Sequence, residues 1–198
     1  MARPRLHDDA LRTRLLEVTS EALSTGGEHA VTVRSVAASA GTSASAVYAL
    51  FGSREELLAA VSAEGFRRFA AHLAAVPRTD DPAADLRALG VAYRRSALAD
   101  RHFYRTMFDR AVRPGADAVP AVEQPTFRVL RDATARVLGI GPADAVPADA
   151  EHVAVGLWGL VHGLVSLELA GLLPGDEAAR AARYDAAAGA VGPALLQR

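Results

Sequence analysis

The stretch VTVRSVAASAGTSASAVYALFGSREELL, residues 31–58, decides the fold. A short helix over about Val33 to Ala40 follows Thr32, which can cap it, and stops at Gly41. A second begins almost at once, over about Ala44 to Leu50, with Ser43 as N-cap and Val47, Leu50 and Phe51 as its apolar stripe. Only Gly41-Thr42-Ser43 separates them. Two short helices on a three-residue turn have the dimensions of a helix-turn-helix, whose second helix fits a major groove ~12 Å wide. Ser53-Arg54-Glu55-Glu56 then reads as a capping box, with Ser53 accepting from the Glu56 amide and the Glu56 side chain reaching back.

Working outward, the flanks are also helical. Asp8 to Ser24 carries Leu11, Leu15, Val18 and Ala22 at helical spacing and stops at Gly26-Gly27. After the capping box a long helix runs on Leu58, Val61, Phe66, Phe69, Leu73 and Val76 until Pro77, and Asp81-Pro82 opens another to about Ala99. Asp100 to Arg110 is an aromatic-rich helix. Val112 to Pro125 holds three prolines and reads as a loop, followed by a helix over about Thr126 to Leu138. Pro147 opens an apolar helix, and Glu177 to Leu196 is the last, weakened towards its end by Gly189, Gly192 and Pro193. No strand pattern of useful length interrupts this order, so the expected class is all-α with about nine helices.

Composition agrees and narrows the function. The chain has 198 residues, 51% of them apolar, with 22 basic and 23 acidic side chains and no cysteine. That excludes a disulfide scaffold, a cysteine-ligated metal centre and a disordered chain. All basic residues are arginine, isoleucine occurs once, and alanine, the best helix former, is abundant. The net charge of −1 supplies no basic field over the whole molecule, so any DNA contact must be local. Residues 1 to 54 hold six arginines against five acids, and the remainder carries −2. Met1 to His7 has no apolar stretch or small-residue cleavage site, so no secretory signal is expected. Val153 to Leu173 has membrane-spanning length, but His162, Ser166 and Glu168 within it and the lack of flanking arginine favour a buried helix or a subunit interface.

The residues quoted above resemble the N-terminal signature of the TetR family of bacterial transcriptional regulators. Thr32, Val36-Ala37, Ala40-Gly41, Ser43, Tyr48, Phe51 and Ser53 followed by a basic residue and an acidic pair fall where that family's pattern has them. Further on, Trp158-Gly159-Leu160-Val161-His162-Gly163-Leu164 with Leu167-Glu168-Leu169 resembles the C-terminal regulatory domain named for its Trp-His-Gly residues. The resemblance implies a DNA-binding domain over 1–54 and a ligand-binding and dimerisation domain over 55–198. It further implies a cytoplasmic homodimeric repressor that binds palindromic double-stranded operator DNA and is released by a small, mostly apolar effector.

Carried to single residues, Thr32, Tyr48 and Arg54 would contact phosphate. Arg34, whose fork suits guanine, would read bases together with Thr42, Ser43, Ala44 and Ser45. Ala44, Ser45 and Leu50 depart from the commonest family residues, which leaves the operator open. Arg3 and Arg5 either enter the adjacent minor groove on an unstructured arm or form a solvated tail. A basic face would gather Arg3, Arg5, Arg34 and Arg54. Gly156, Gly159 and Gly163 lie on one face of the apolar helix and permit close helix approach in an intersubunit four-helix bundle. Phe66, Phe69, Tyr93, Phe103, Tyr104, Met107, Phe108, Phe127, Trp158 and His162 line an apolar ligand pocket, or else form ordinary core. No enzyme constellation is visible: His152 and His162 are about 80° out of register on a helix, and no metal motif, Gly-x-Ser-x-Gly or phosphate loop occurs. No cofactor or metal site is expected, and a non-DNA helical binding module and a membrane protein are the remaining alternatives.

Overall fold

Caps set the helix boundaries in the computed structural model, which describes residues 5–112, 121–141 and 148–197. Among these residues there are nine α-helices and no strand: α1 (Arg5–Gly26), α2 (Val33–Ala40), α3 (Ala44–Phe51), α4 (Arg54–Ala74), α5 (Pro82–Ala99), α6 (Arg101–Val112), α7 (Pro125–Val137), α8 (Ala148–Leu169) and α9 (Glu177–Leu196). Short 3-10 turns occupy Glu28–Ala30 and Ala121–Glu123. The fold is all-α, as expected.

The chain divides into two compact units. Among the described residues the first comprises 5–68 and 100–112, the second 69–99, 121–141 and 148–197. Continuous α4 therefore contributes to both. In the first unit Leu15, Leu16 and Leu23 of α1, Val36 and Ala40 of α2, Val47 and Phe51 of α3, Leu57, Leu58 and Val61 of α4 and Phe103 of α6 form one buried core. Since α6 packs along α1, the unit that holds the helix-turn-helix extends beyond residue 54 and takes in a helix far away in sequence. Where α4 meets α6, Gly65 allows the approach: a Cβ there would lie 3.2 Å from the Met107 side chain and 3.3 Å from the Phe103 carbonyl oxygen.

In the second unit α5, α7, α8 and α9 pack on one another. Small residues permit this, with Ala92, Ala97, Ala133, Ala135, Ala150 and Ala154 all buried. Two charged clamps fix the arrangement. The first joins the α4–α5 connection to α5 and α7: Asp85 accepts from the Thr79 amide at 2.9 Å, the Thr79 hydroxyl at 2.7 Å and Arg136 Nη1 at 2.7 Å. The Arg136 and Thr79 bonds hold the Asp85 carboxyl down at about 2. The second joins α5, α8 and α9: Arg94 donates both Nε and Nη2 to Glu168, at 2.8 and 2.6 Å, and Arg180 Nε lies 3.4 Å from the same carboxylate. Tyr184 of α9 donates its hydroxyl to the Gly90 carbonyl of α5 at 2.6 Å.

Two expectations change in detail. The apolar run to Leu173 is not helical to its end: α8 stops at Leu169, where the Gly171 and Leu172 amides bond back to the Glu168 and Leu167 carbonyls and Gly171 takes φ +72°. Over Ala150–Leu169 this helix is long and apolar enough to cross a membrane by length and composition; here it packs against α5, α7 and α9. Helix α9 continues through Gly189 and Gly192 to Leu196 with Pro193 inside it. Pro147 and most of the proline-rich loop lie outside the described residues.

Candidate DNA-binding surface and buried polar cluster

The turn between α2 and α3 is closed by main-chain geometry. Gly41 adopts φ +68°, ψ 38°, its amide bonds to the Ala38 carbonyl at 3.1 Å and the Thr42 amide to the Ala37 carbonyl at 2.9 Å. Ser43 then caps α3, its hydroxyl accepting from the Ala46 amide at 3.2 Å. Buried Val47 and Phe51 seat α3 on the core and turn Tyr48 outward, where it is 53% exposed. Ser43, Ser45 and Ala49 are exposed beside it, whereas Thr42 is half-buried and Ala44 packs in part against the core. Arg34, at the second position of α2, is exposed. These residues share one continuous helix-turn-helix.

Thr32 and Arg54 are engaged in ways the sequence does not announce. The Thr32 hydroxyl accepts from the Ser35 amide at 3.0 Å while its own amide donates to Ser35 Oγ at 3.0 Å, a reciprocal cap that secures the start of α2. Arg54, expected to face phosphate, turns back onto the main chain: Nε donates to the Val31 carbonyl at 2.8 Å and Nη2 to the Glu28 carbonyl at 2.7 Å. Its third nitrogen lies 3.6 Å from Glu55. The expected Ser53–Glu56 box is half formed. Ser53 accepts from the Glu56 amide at 3.1 Å, but the Ser53 amide bonds to the Phe51 carbonyl and the Glu56 carboxylate folds over Gly52. Arg3 lies outside the described residues, and Arg5 is the first residue of α1 rather than part of an arm.

One basic residue not singled out in sequence stands near α3. The Arg12 guanidinium of α1 lies over the Phe51 ring, 5.3 Å from its centroid. A sequence signal existed only in retrospect, because α1 and α3 are brought together by the shared core. Arg68 of α4 forms another hub in this unit, with Nε 2.7 Å from Glu64, Nη1 3.2 Å from Asp100 and Nη2 3.4 Å from Glu17, over the Phe103 ring. Arg67 and Arg68 together hold the Glu64 carboxyl at about 2.

The ten residues expected to line a pocket divide between the units. Phe66, Phe103, Tyr104, Met107 and Phe108 belong to the first, where Phe103 is part of the helix-turn-helix core and Phe108 meets Tyr104 and Phe66 edge-on at 4.8 and 6.4 Å. Phe69, Tyr93, Phe127, Trp158 and His162 belong to the second and form a cluster there. Tyr93 packs edge-on with Phe69 at 4.9 Å, and Trp158 with Phe127 at 5.9 Å and His162 at 6.2 Å. Their polar tips meet. Trp158 Nε1 lies 3.3 Å from the Tyr93 hydroxyl, which lies 3.1 Å from His162 Nδ1. Burial lowers the His162 pKa, so the ring is neutral at pH 7. An indole only donates; Tyr93 accepts from it and has its own proton to give to Nδ1.

The glycines of α8 also divide. A Cβ on Gly156 would meet Leu195 of α9 at 3.7 Å, whereas one on Gly159 or Gly163 would meet nothing within 4 Å. Val155 and Leu167 of α8 and Val191 of α9 are each at least 40% exposed. Among the described residues no group of histidines and acids could hold a metal ion.

Two family models match the chain. Residues 15–61 match the family model described as bacterial regulatory proteins, tetR family, and residues 86–191 match the tetracyclin repressor-like C-terminal domain. No curated protein matches the chain. Among solved structures, a Rhodococcus sp. RHA1 protein of unknown function is 28% identical, with a TM-score of 0.70 over 94% of this chain and 93% of that one. A TetR-like transcriptional regulator from the same organism is 22% identical, with a TM-score of 0.71 over 96% and 100%. The TetR family regulator PfmR from Thermus thermophilus is 18% identical, with a TM-score of 0.64 over 93% and 100%. The two family matches span both compact units and contain the helix-turn-helix and the Tyr93, Trp158 and His162 cluster; the chain belongs to the TetR family of bacterial transcriptional regulators.

Proposed function

We propose that this regulator is a cytoplasmic homodimeric repressor that binds a pseudo-palindromic operator and leaves it when a small, mostly apolar ligand binds. The observation that carries the reading is Tyr48, turned out of α3 by the burial of Val47 and Phe51, with exposed Arg34, Ser43 and Ser45 in the same helix-turn-helix. Tyr48 and the amides at the start of α2 take phosphate, Arg34 and the first residues of α3 read base edges, and Arg54 holds the α1–α2 connection that presents them. The functional division is residues 1–54 for DNA and 55–198 for ligand and dimer.

Dimerisation rests on the outward glycines Gly159 and Gly163 and the exposed Val155, Leu167 and Val191, which give α8 and α9 an apolar surface that a second copy covers. The effector binds among Tyr93, Trp158, His162 and their aromatic neighbours, in a domain of the Trp-His-Gly type, where three linked polar tips in an apolar setting can orient one polar group of a ligand. Release needs a coupling of only ~1 to 3 kcal/mol between ligand and DNA. Enzymatic activity forms no part of this function.

The test is selection of the full chain against duplexes with a randomised core. Enrichment of an inverted repeat with half-sites ~10 bp apart, bound by two chains, is expected. If no duplex is enriched at low salt, or the enriched sequence lacks two-fold symmetry, the reading fails.

A further inference from the structure

The helix-turn-helix has fewer available cations than its sequence suggests. Arg54 is committed to two main-chain carbonyls, and α3 carries no charged residue. Arg34 stands at the start of α2, so the far end of α3 would meet the polyanionic backbone with Tyr48 alone. There the structure supplies Arg12. It reaches from α1 to the ring of Phe51, the core-facing last residue of α3, and the outward-facing Tyr48 lies about one helical turn before it.

We propose that Arg12 is a DNA-backbone contact: held over Phe51 at the C-terminal end of α3, it donates from its guanidinium to a phosphate beside the groove that α3 enters. The inference rests on the DNA-binding function proposed above. Among the described residues the Arg12 guanidinium makes this ring contact and no hydrogen bond, so its N–H donors, the groups that bind phosphate, remain available. The ring also restricts an otherwise mobile side chain, so less freedom is lost when phosphate arrives. The carbonyl end of α3 attracts the cation to the same place. Asp8 and Asp9, one turn earlier on α1, make no direct ion pair with Arg12 among the described residues. Arg14 is the internal comparison, because two residues along a helix place it about 200° away from Arg12.

The experiment measures the salt dependence of affinity for the duplex recovered by the selection, using the full chain and three variants. For two phosphate contacts per dimer, Arg12→Gln is expected to make the slope of log K against log[KCl] shallower by about 1.8 and to weaken binding about tenfold or more at ~0.1 M salt. Arg12→Lys, which keeps a cation, retains the wild-type slope, and so does Arg14→Gln. Thermal unfolding of all three stays at the wild-type midpoint. A wild-type slope in Arg12→Gln overturns the inference while leaving the DNA-binding function intact, and an equal loss in Arg14→Gln overturns it by assigning the effect to net charge. Failure of the wild type to select any duplex overturns the function and this contact together.

Discussion

Arg54 Nε donates to the carbonyl oxygen of Val31 at 2.8 Å, across 23 residues of sequence. With the Glu28 carbonyl at 2.7 Å on Nη2, one guanidinium ties the start of α4 to the connection that leads into α2. Arg54→Ala is expected to cost about 2 kcal/mol of stability through two lost charge-assisted bonds. Arg54→Lys recovers less than half of this, because one ammonium cannot reproduce the planar fork. Chemical denaturation of both variants checks the assignment; stability unchanged in Arg54→Ala would return Arg54 to the role of a free phosphate ligand.

Arg94 and Glu168 hold α5 to α8 with Glu168 only 4% exposed in its side chain. Arg94→Met leaves that carboxylate with Arg180 alone, at 3.4 Å, and is expected to destabilise the chain by ~3 kcal/mol. The double variant Arg94→Met/Glu168→Leu recovers most of the loss, because neither charge then remains buried. Equal destabilisation by the single and double variants in a denaturant titration would show that the pair does not act as a unit.

Acid stability follows from three carboxyls. Glu64 and Asp85 are held at about 2, and hydrogen bonds from Arg94 lower Glu168. A folded-state pKa below the unfolded one stabilises above the unfolded value, near 4, and that stability is lost as pH falls towards 2. The unfolding midpoint is therefore expected to be level from pH 7 to about 5 and to fall steeply below it. Asp85→Asn lowers the midpoint at pH 7 and makes its decline between pH 4 and about 2 shallower. A decline as steep as that of the wild type in the variant would remove Asp85 from this account.

Thr106 of α6 is 3% exposed, and its hydroxyl has no hydrogen-bond partner among the described residues. Thr106→Val keeps the shape and removes an unsatisfied buried group, so a gain of about 1 kcal/mol is expected, measured by denaturant midpoint. A loss of stability would mean that the hydroxyl is bonded in solution.

Local signals made the helices legible. Thr32 and Gly41 bound α2 and Asp81-Pro82 starts α5, and the structure places those ends where the caps stand. Long-range pairing was not legible. Nothing in the local pattern says that Arg54 prefers carbonyls 23 and 26 residues away to solvent, or that α6 packs along α1. The aromatic set shows the same limit: Phe66 and Phe69 lie three residues apart on α4 yet fall in different compact units. Periodicity reports which face of a helix is apolar, but the partner of each turn is set by the whole chain. The Tyr93, Trp158 and His162 cluster was half legible, since Trp158 and His162 are one turn apart while Tyr93 reaches them from α5.

Quantitative footprinting of the full chain and its Tyr48→Ala variant on the DNA flanking its own gene, at low salt, tests docking of α3 most directly. The wild type is expected to protect an inverted repeat with half-sites ~10 bp apart, and Tyr48→Ala to weaken protection about 10- to 100-fold at every position alike. Absence of a protected inverted repeat, or unchanged affinity in Tyr48→Ala, would contradict the account.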